Sequence, residues 1–114
     1  MKSPAYDNHH QEQLMGLQSR ALNDLSQLWA SIEADLSRAR GTLPHDAESY
    51  GALLEYEDYI NQNELELACD ALEAYADRHP VNKEFWLLLR DAARKMRLPD
   101  RASRYEGRAG ASPR

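Results

Sequence analysis

Four carboxylates dominate any search of this sequence for chemistry. Glu66, Asp70, Glu73 and Asp77 follow one another at steps of four, three and four, a spacing that sets them along one side of an α-helix. Carboxylates can act as acid and base or hold a metal, but each use needs a suitable second group beside them. None offers itself. His9 and His10 lie in a polar N-terminal stretch, His45 in a turn and His79 before a proline, without a carboxylate or second histidine that a helix would bring alongside. There is no phosphate-cradling glycine loop, nucleophile elbow or HExxH. Cys69, between Leu65 and Leu72 on an apolar helix face, reads as a buried thiol with nothing to activate it. These residues predict a protein without catalysis, cofactor or metal, and point to a binding surface.

Like charges at i and i+4 destabilise a helix by a few tenths of a kcal/mol per pair, so four in a row need compensation. One source is internal: the arginines of the last helix, Arg90, Arg94, Arg97 and Arg101, or the basic tail behind them. The other is a cationic partner, with complementary charge setting encounter rate and specificity. Residues 41–77 carry ten acidic side chains and no Lys or Arg, whereas residues 78–114 carry ten basic and four acidic ones. The net charge of −5 hides this asymmetry. Glu48, Glu55 and Asp58, away from the core side of the preceding helix, extend the acidic surface.

The elements that position these groups are all helical, since no segment alternates with period two. A first helix runs from about Asp7 or Asn8 to Arg40, with Gly41 as its stop. Its apolar stripe is Leu14, Leu17, Ala21, Leu25, Leu28, Ile32, Leu36 and Ala39, with Leu14, Leu25 and Leu36 spaced by elevens, which disfavours a left-handed coiled coil. A second helix from Asp46 to Asn61 packs Tyr50, Leu53, Leu54, Glu57 and Ile60 inward, despite Gly51. Asn63 caps the acidic helix, whose faces are Leu65, Ala68, Cys69, Leu72, Tyr75 and Ala76 on one side and Leu67, Ala71 and Ala74 on the other. Asn82 caps the last helix, built on Phe85, Leu88, Leu89, Ala92 and Met96 and ended by Pro99.

This pattern predicts an all-α protein: an antiparallel four-helix bundle with a long first helix and a disordered basic C-terminal tail. Residues 1–101 form one domain, with residues 1–7 disordered and residues 102–114 a flexible tail. No apolar run spans a membrane, and the N-terminus lacks the apolar core of a signal peptide, so the expected location is cytoplasmic. Arg101, Arg104, Arg108 and Arg114 are too scattered, and the domain too acidic, to favour nucleic acid.

The segments YINQNELELACDAL and HPVNKEFWLLLRDAARKMRL resemble small bacterial immunity proteins of the MafI type. The matching positions are Asn63, Glu64, Leu67, Ala68 and Leu72, then Pro80, Val81, Asn82, Phe85, Trp86, Ala92, Ala93, Met96 and Leu98. The likeness covers the second half of the chain and rests on core and capping residues. The first helix is longer than the type requires, and Asn82 stands where a serine cap is common. The resemblance implies a cytoplasmic protein that binds and neutralises a secreted toxin, often a nuclease. The partner would then be a basic toxin protein, with no small-molecule substrate, held by Glu48, Glu55, Asp58, Glu66, Asp70, Glu73 and Asp77. The alternative is a helical adaptor that self-associates, as a homodimer through its first helix, with its acidic face merely solvated.

Overall fold

The computed structural model describes residues 23–49 and 51–111, except for the side chains of residues 48 and 49. The expectations for residues 1–7, for the first turns of the long helix and for Tyr50 lie outside the described residues. Among the described residues there are five α-helices and no strand.

Helix α1 covers residues 23–41. Ile32, Leu36 and Ala39 are buried on one face, and Asp35 is drawn in beside them. Lys95 reaches Asp35 Oδ2 and Ser31 Oγ, each at 2.7 Å, and so ties α1 to the far end of another helix. The stop falls near Gly41, but no glycine here adopts positive φ. Instead Thr42 turns its amide and hydroxyl onto the Ala39 carbonyl, at 3.1 and 2.7 Å, tightening the last turn before Pro44.

The second helix is corrected by the structure. His45–Ser49 and Gly51–Leu53 are short 3₁₀ turns, and only Tyr56–Asn61 is α-helical, forming α2. Among the residues whose burial is described here, Ala47, Leu53 and Tyr56 are buried. Leu54 and Glu57, expected on the core side, are exposed, and Tyr56 takes their place.

Helix α3 is Leu65–Arg78 and α4 is Lys83–Lys95. The expected inner face of α3 is buried throughout; of the opposite face only Ala71 is buried, while Leu67 and Ala74 are exposed. Asn82 caps α4 as its sequence predicts, accepting the Phe85 amide at 2.9 Å, and Phe85, Leu88, Leu89 and Ala92 fill the core with Trp86 and Ala93.

The tail expectation is also corrected. Pro99–Ala111 is a fifth helix, α5, so residues 102–111 are helical. Proline lacks an amide donor, a loss that matters inside a helix but not at its first position, where its fixed φ is already helical. Pro99 therefore starts α5 rather than merely ending α4. Ala102, Tyr105 and Ala109 bury the inner face, at steps of three and four.

Two left-handed residues make the tight corners. Asn63 has φ 58° and Arg97 has φ 60°. After α2, Glu64 N–H donates to Tyr59 C=O and Asn63 N–H to Ile60 C=O; after α4, Leu98 N–H donates to Ala93 C=O and Arg97 N–H to Arg94 C=O. Both corners are Schellman closures. Asn63 thus closes α2 instead of capping α3.

Candidate functional site

The acidic stripe of α3 faces the arginines of α5. Arg101 pairs with Asp70 and, at 3.4 Å, with Glu66. Arg104 holds Glu73 through two nitrogens, Nε and Nη2, both at 3.1 Å. Arg108 meets Asp77 at 2.7 Å. The partners Asp70–Arg101, Glu73–Arg104 and Asp77–Arg108 are each 31 residues apart. A constant offset holds only between helices running in the same direction, so α3 and α5 lie parallel, with α4 between them in the chain.

The compensating cations lie on α5 rather than on α4: Arg101 comes from the stripe expected on the last helix, and Arg104 and Arg108 from the expected tail. Arg94 turns to Glu106 at 2.8 Å, and Arg90 to Asp91 at 2.9 Å. The signal was present in the sequence: the spacing of Asp70, Glu73 and Asp77 is repeated by Arg101, Arg104 and Arg108. Pro99, which reads as an end to regular structure, concealed it.

A buried polar network underlies the ladder. Tyr105 donates its hydroxyl to Glu73 Oε1 at 2.8 Å, and Cys69 Sγ lies 3.4 Å from the Tyr105 oxygen. Burial, then the neighbouring Cys69 and Glu73, push the Tyr105 phenol well above its ordinary range. Burial likewise raises the Cys69 thiol, against opposing hydrogen bonds from Tyr105 and Arg101. A thiol held protonated and shut from solvent is a poor nucleophile. On the outer side of α5, the Arg108 guanidinium lies 4.0 Å from the Trp86 ring centroid. Trp86 is therefore a core residue that also seats an arginine.

His79 stacks on Tyr75 with centroids 4.2 Å apart, and its Nδ1 lies 3.1 Å from the Tyr75 carbonyl oxygen. That places it at the C-terminal end of α3, where a histidine satisfies an open carbonyl. His45 is exposed in its 3₁₀ turn. No group of three His, Cys, Asp or Glu among the described residues could hold a metal ion.

The other acidic residues lie apart from the ladder. Glu55 accepts the Tyr59 hydroxyl at 2.8 Å, and Asp58 is exposed on α2; the Glu48 side chain lies outside the described set. Among the described residues no cation pairs with Glu55, Glu57, Asp58 or Glu64, all of which are exposed. Leu54, which precedes the first three in the chain, is 68% exposed, far more than Leu25, Leu28, Trp29 or Leu67. Beside it a groove of about 300 Å³ is lined by Arg40, Leu53, Leu54, Tyr56 and Glu57. Among the described residues the acidic groups thus divide into a neutralised set on α3 and a set around α2 without ion pairs. No helix among the described residues is long and apolar enough to cross a membrane. Compared with protein-family models, curated proteins and solved structures, the chain matches none.

Proposed function

We propose that this protein is a non-enzymatic inhibitor that occludes a basic partner protein, as the immunity proteins its second half resembles do. The partner is a secreted bacterial toxin, and a nuclease suits the charge best, because a cleft that holds phosphates is cationic. Acidic side chains then stand in for phosphates at that cleft, inside the cell that must be protected.

One observation carries this reading: Leu54 is 68% exposed and is followed in the chain by the exposed Glu55, Glu57 and Asp58, in a stretch of ten acidic residues without Lys or Arg. An exposed apolar side chain beside exposed carboxylates suits an anchor in a partner's pocket with a charged rim. The α3 stripe contributes less, because displacing Arg101, Arg104 and Arg108 would cost the contacts that hold α5. The reading therefore moves the contact from Glu66, Asp70, Glu73 and Asp77 toward Glu55 and Asp58.

The test is to purify the product of a secreted-toxin gene lying next to this one and titrate it with the protein. A stable complex that abolishes toxin activity is expected. Leu54→Ala and the pair Glu55→Lys, Asp58→Lys should weaken it by roughly 2–5 kcal/mol in total, with the thermal melt of the free protein unmoved. Full inhibition by these variants would remove α2 from the contact, and failure of the native protein to bind would end the immunity reading.

A further inference from the structure

Where α3 ends and α5 nears its own end, a cleft of about 440 Å³ opens beside the buried Trp86. That volume lies within the roughly 300–1,000 Å³ of small-molecule sites. Ala76, Pro80, Val81 and Ala111 supply apolar walls around the indole. The polar side chains that line it are His79, Arg104 and Arg108, and among the described residues no carboxylate does. Glu73 and Asp77, which hold the two arginines, are not part of the lining. In a chain of net charge −5, a cleft lined by basic groups alone selects an anion.

Both guanidiniums retain donors. Arg104 gives Nε and Nη2 to Glu73, and Arg108 gives Nη1 to Asp77. Among the described residues nothing accepts from Arg104 Nη1 or from Arg108 Nε and Nη2. The Arg108 guanidinium is also held in place, its carbon 4.0 Å from the Trp86 ring centroid. Such a planar fork matches a carboxylate and takes aromatic rings on its faces.

Gly107 makes the room. It lies inside α5, next to Arg108, and lines the same cleft. A Cβ at this position would meet nothing within 4 Å, and no described glycine has positive φ. Glycine weakens a helix relative to alanine, and here neither crowding nor backbone geometry requires it. What its missing side chain leaves is open space beside the arginines.

We propose that this cleft binds a small aromatic carboxylate, its ring against the apolar walls and its anion on the remaining donors of Arg104 and Arg108. Glu73 and Asp77 moderate the positive field, which favours a single negative charge over a phosphate dianion. The cleft shares no residue with the α2 surface, so the inference is independent of what binds at Leu54.

Calorimetric titration of the full chain with naphthoate tests it. One molecule is expected to bind per chain. Naphthamide keeps the ring without the charge, acetate the charge without the ring, and each should bind at least ~tenfold more weakly. Gly107→Leu should fill the cleft and weaken naphthoate by a similar factor, while the melt holds or rises because a glycine leaves the helix. Arg108→Gln should weaken it likewise, with little change in the melt, since its pair with Asp77 is exposed. Absence of saturable binding, equal binding of naphthamide, or full binding by Gly107→Leu would each overturn the proposal. Binding that appears only once residues 112–114 are removed would make the chain's own end the occupant and would overturn it as well.

Discussion

Tyr105 and Glu73 meet across 2.8 Å, phenol to carboxylate, where the buried and exposed layers of the α3–α5 contact touch. The phenol is closed to solvent, while the carboxylate also takes both nitrogens of Arg104 at the surface. Removing only the hydroxyl, with Tyr105→Phe, leaves the ring packing in place but deprives Glu73 and Cys69 of their shared partner. The expected loss is about 1–2 kcal/mol in urea unfolding. Tyr105→Ala also opens a cavity and should cost roughly 3–5 kcal/mol. Equal stability of the Phe variant and the native protein would show that the hydroxyl contributes nothing net.

Charge reversal locates the pairing. Glu73→Lys should destabilise the fold by roughly 1–3 kcal/mol, since this carboxylate is mostly covered and accepts charge-assisted bonds. Adding Arg104→Glu should recover a good part of that loss, whereas Arg94→Glu, whose guanidinium lies on Glu106, should recover none. Asp77→Lys faces Arg108 in the open and should cost only about 0–1 kcal/mol. Thermal melts of the single and double variants decide.

Deleting residues 99–114 discriminates between a tail and a helix. A flexible tail could be cut away without effect. Loss of α5 instead uncovers Trp86 and Cys69, removes Tyr105 from the core and leaves four α3 carboxylates without cations. The shortened chain should lose its cooperative melt and become sensitive to protease. A native-like melt would refute the structural role given to α5.

Alkaline pH should act through the buried acids. Cys69 and Tyr105 both have their pKa values raised on folding, Tyr56 as well, chiefly by burial. Their contribution is complete below the unfolded values, about 8.5 for cysteine and about 10 for tyrosine. It is lost as pH rises above these values, because only the unfolded chain ionises freely. Unfolding free energy should therefore begin to fall near pH ~9 and drop faster above pH ~10. Cys69→Ala should remove the earlier part of that decline, a difference that urea titrations at successive pH values would resolve.

Arg97 offers a stabilising change. A side chain in the left-handed region costs roughly 1–2 kcal/mol that glycine does not incur, against an entropic penalty for glycine of about 0.5–1 kcal/mol. Arg97→Gly should therefore raise stability by about 0.5–1 kcal/mol in urea unfolding, since the exposed guanidinium forms no ion pair among the described residues.

The helical class and the cores of α3 and α4 were legible because Leu65 to Ala76 and Phe85 to Ala93 repeat with a long, regular period. Asn82 was legible because a helix cap is a local interaction. The segment from Asp46 to Leu54 was not, because it is two short 3₁₀ turns, which a search for a 3.6-residue period does not distinguish from one helix. At Pro99 and Asn63 the residue type marked a boundary correctly but not which helix it served. The acidic residues could be named from the sequence, but not which of them meet arginines, since that depends on α5 lying parallel to α3, a fact of tertiary structure. Leu54, assigned to the core by periodicity, became conspicuous only through its exposure.

The 31-residue interval also sets a clock during synthesis. Each carboxylate of α3 leaves the ribosome ahead of the arginine that neutralises it, by roughly 2–6 s at about 5–20 residues per second. Through that interval α3 carries its mutual repulsion uncompensated, and the nascent acidic stretch is open to any cation within reach. Packing of α3 against α5 therefore waits on synthesis of the α5 arginines, and a ribosome stalled before Arg101 would present α3 with its carboxylates still without these cations.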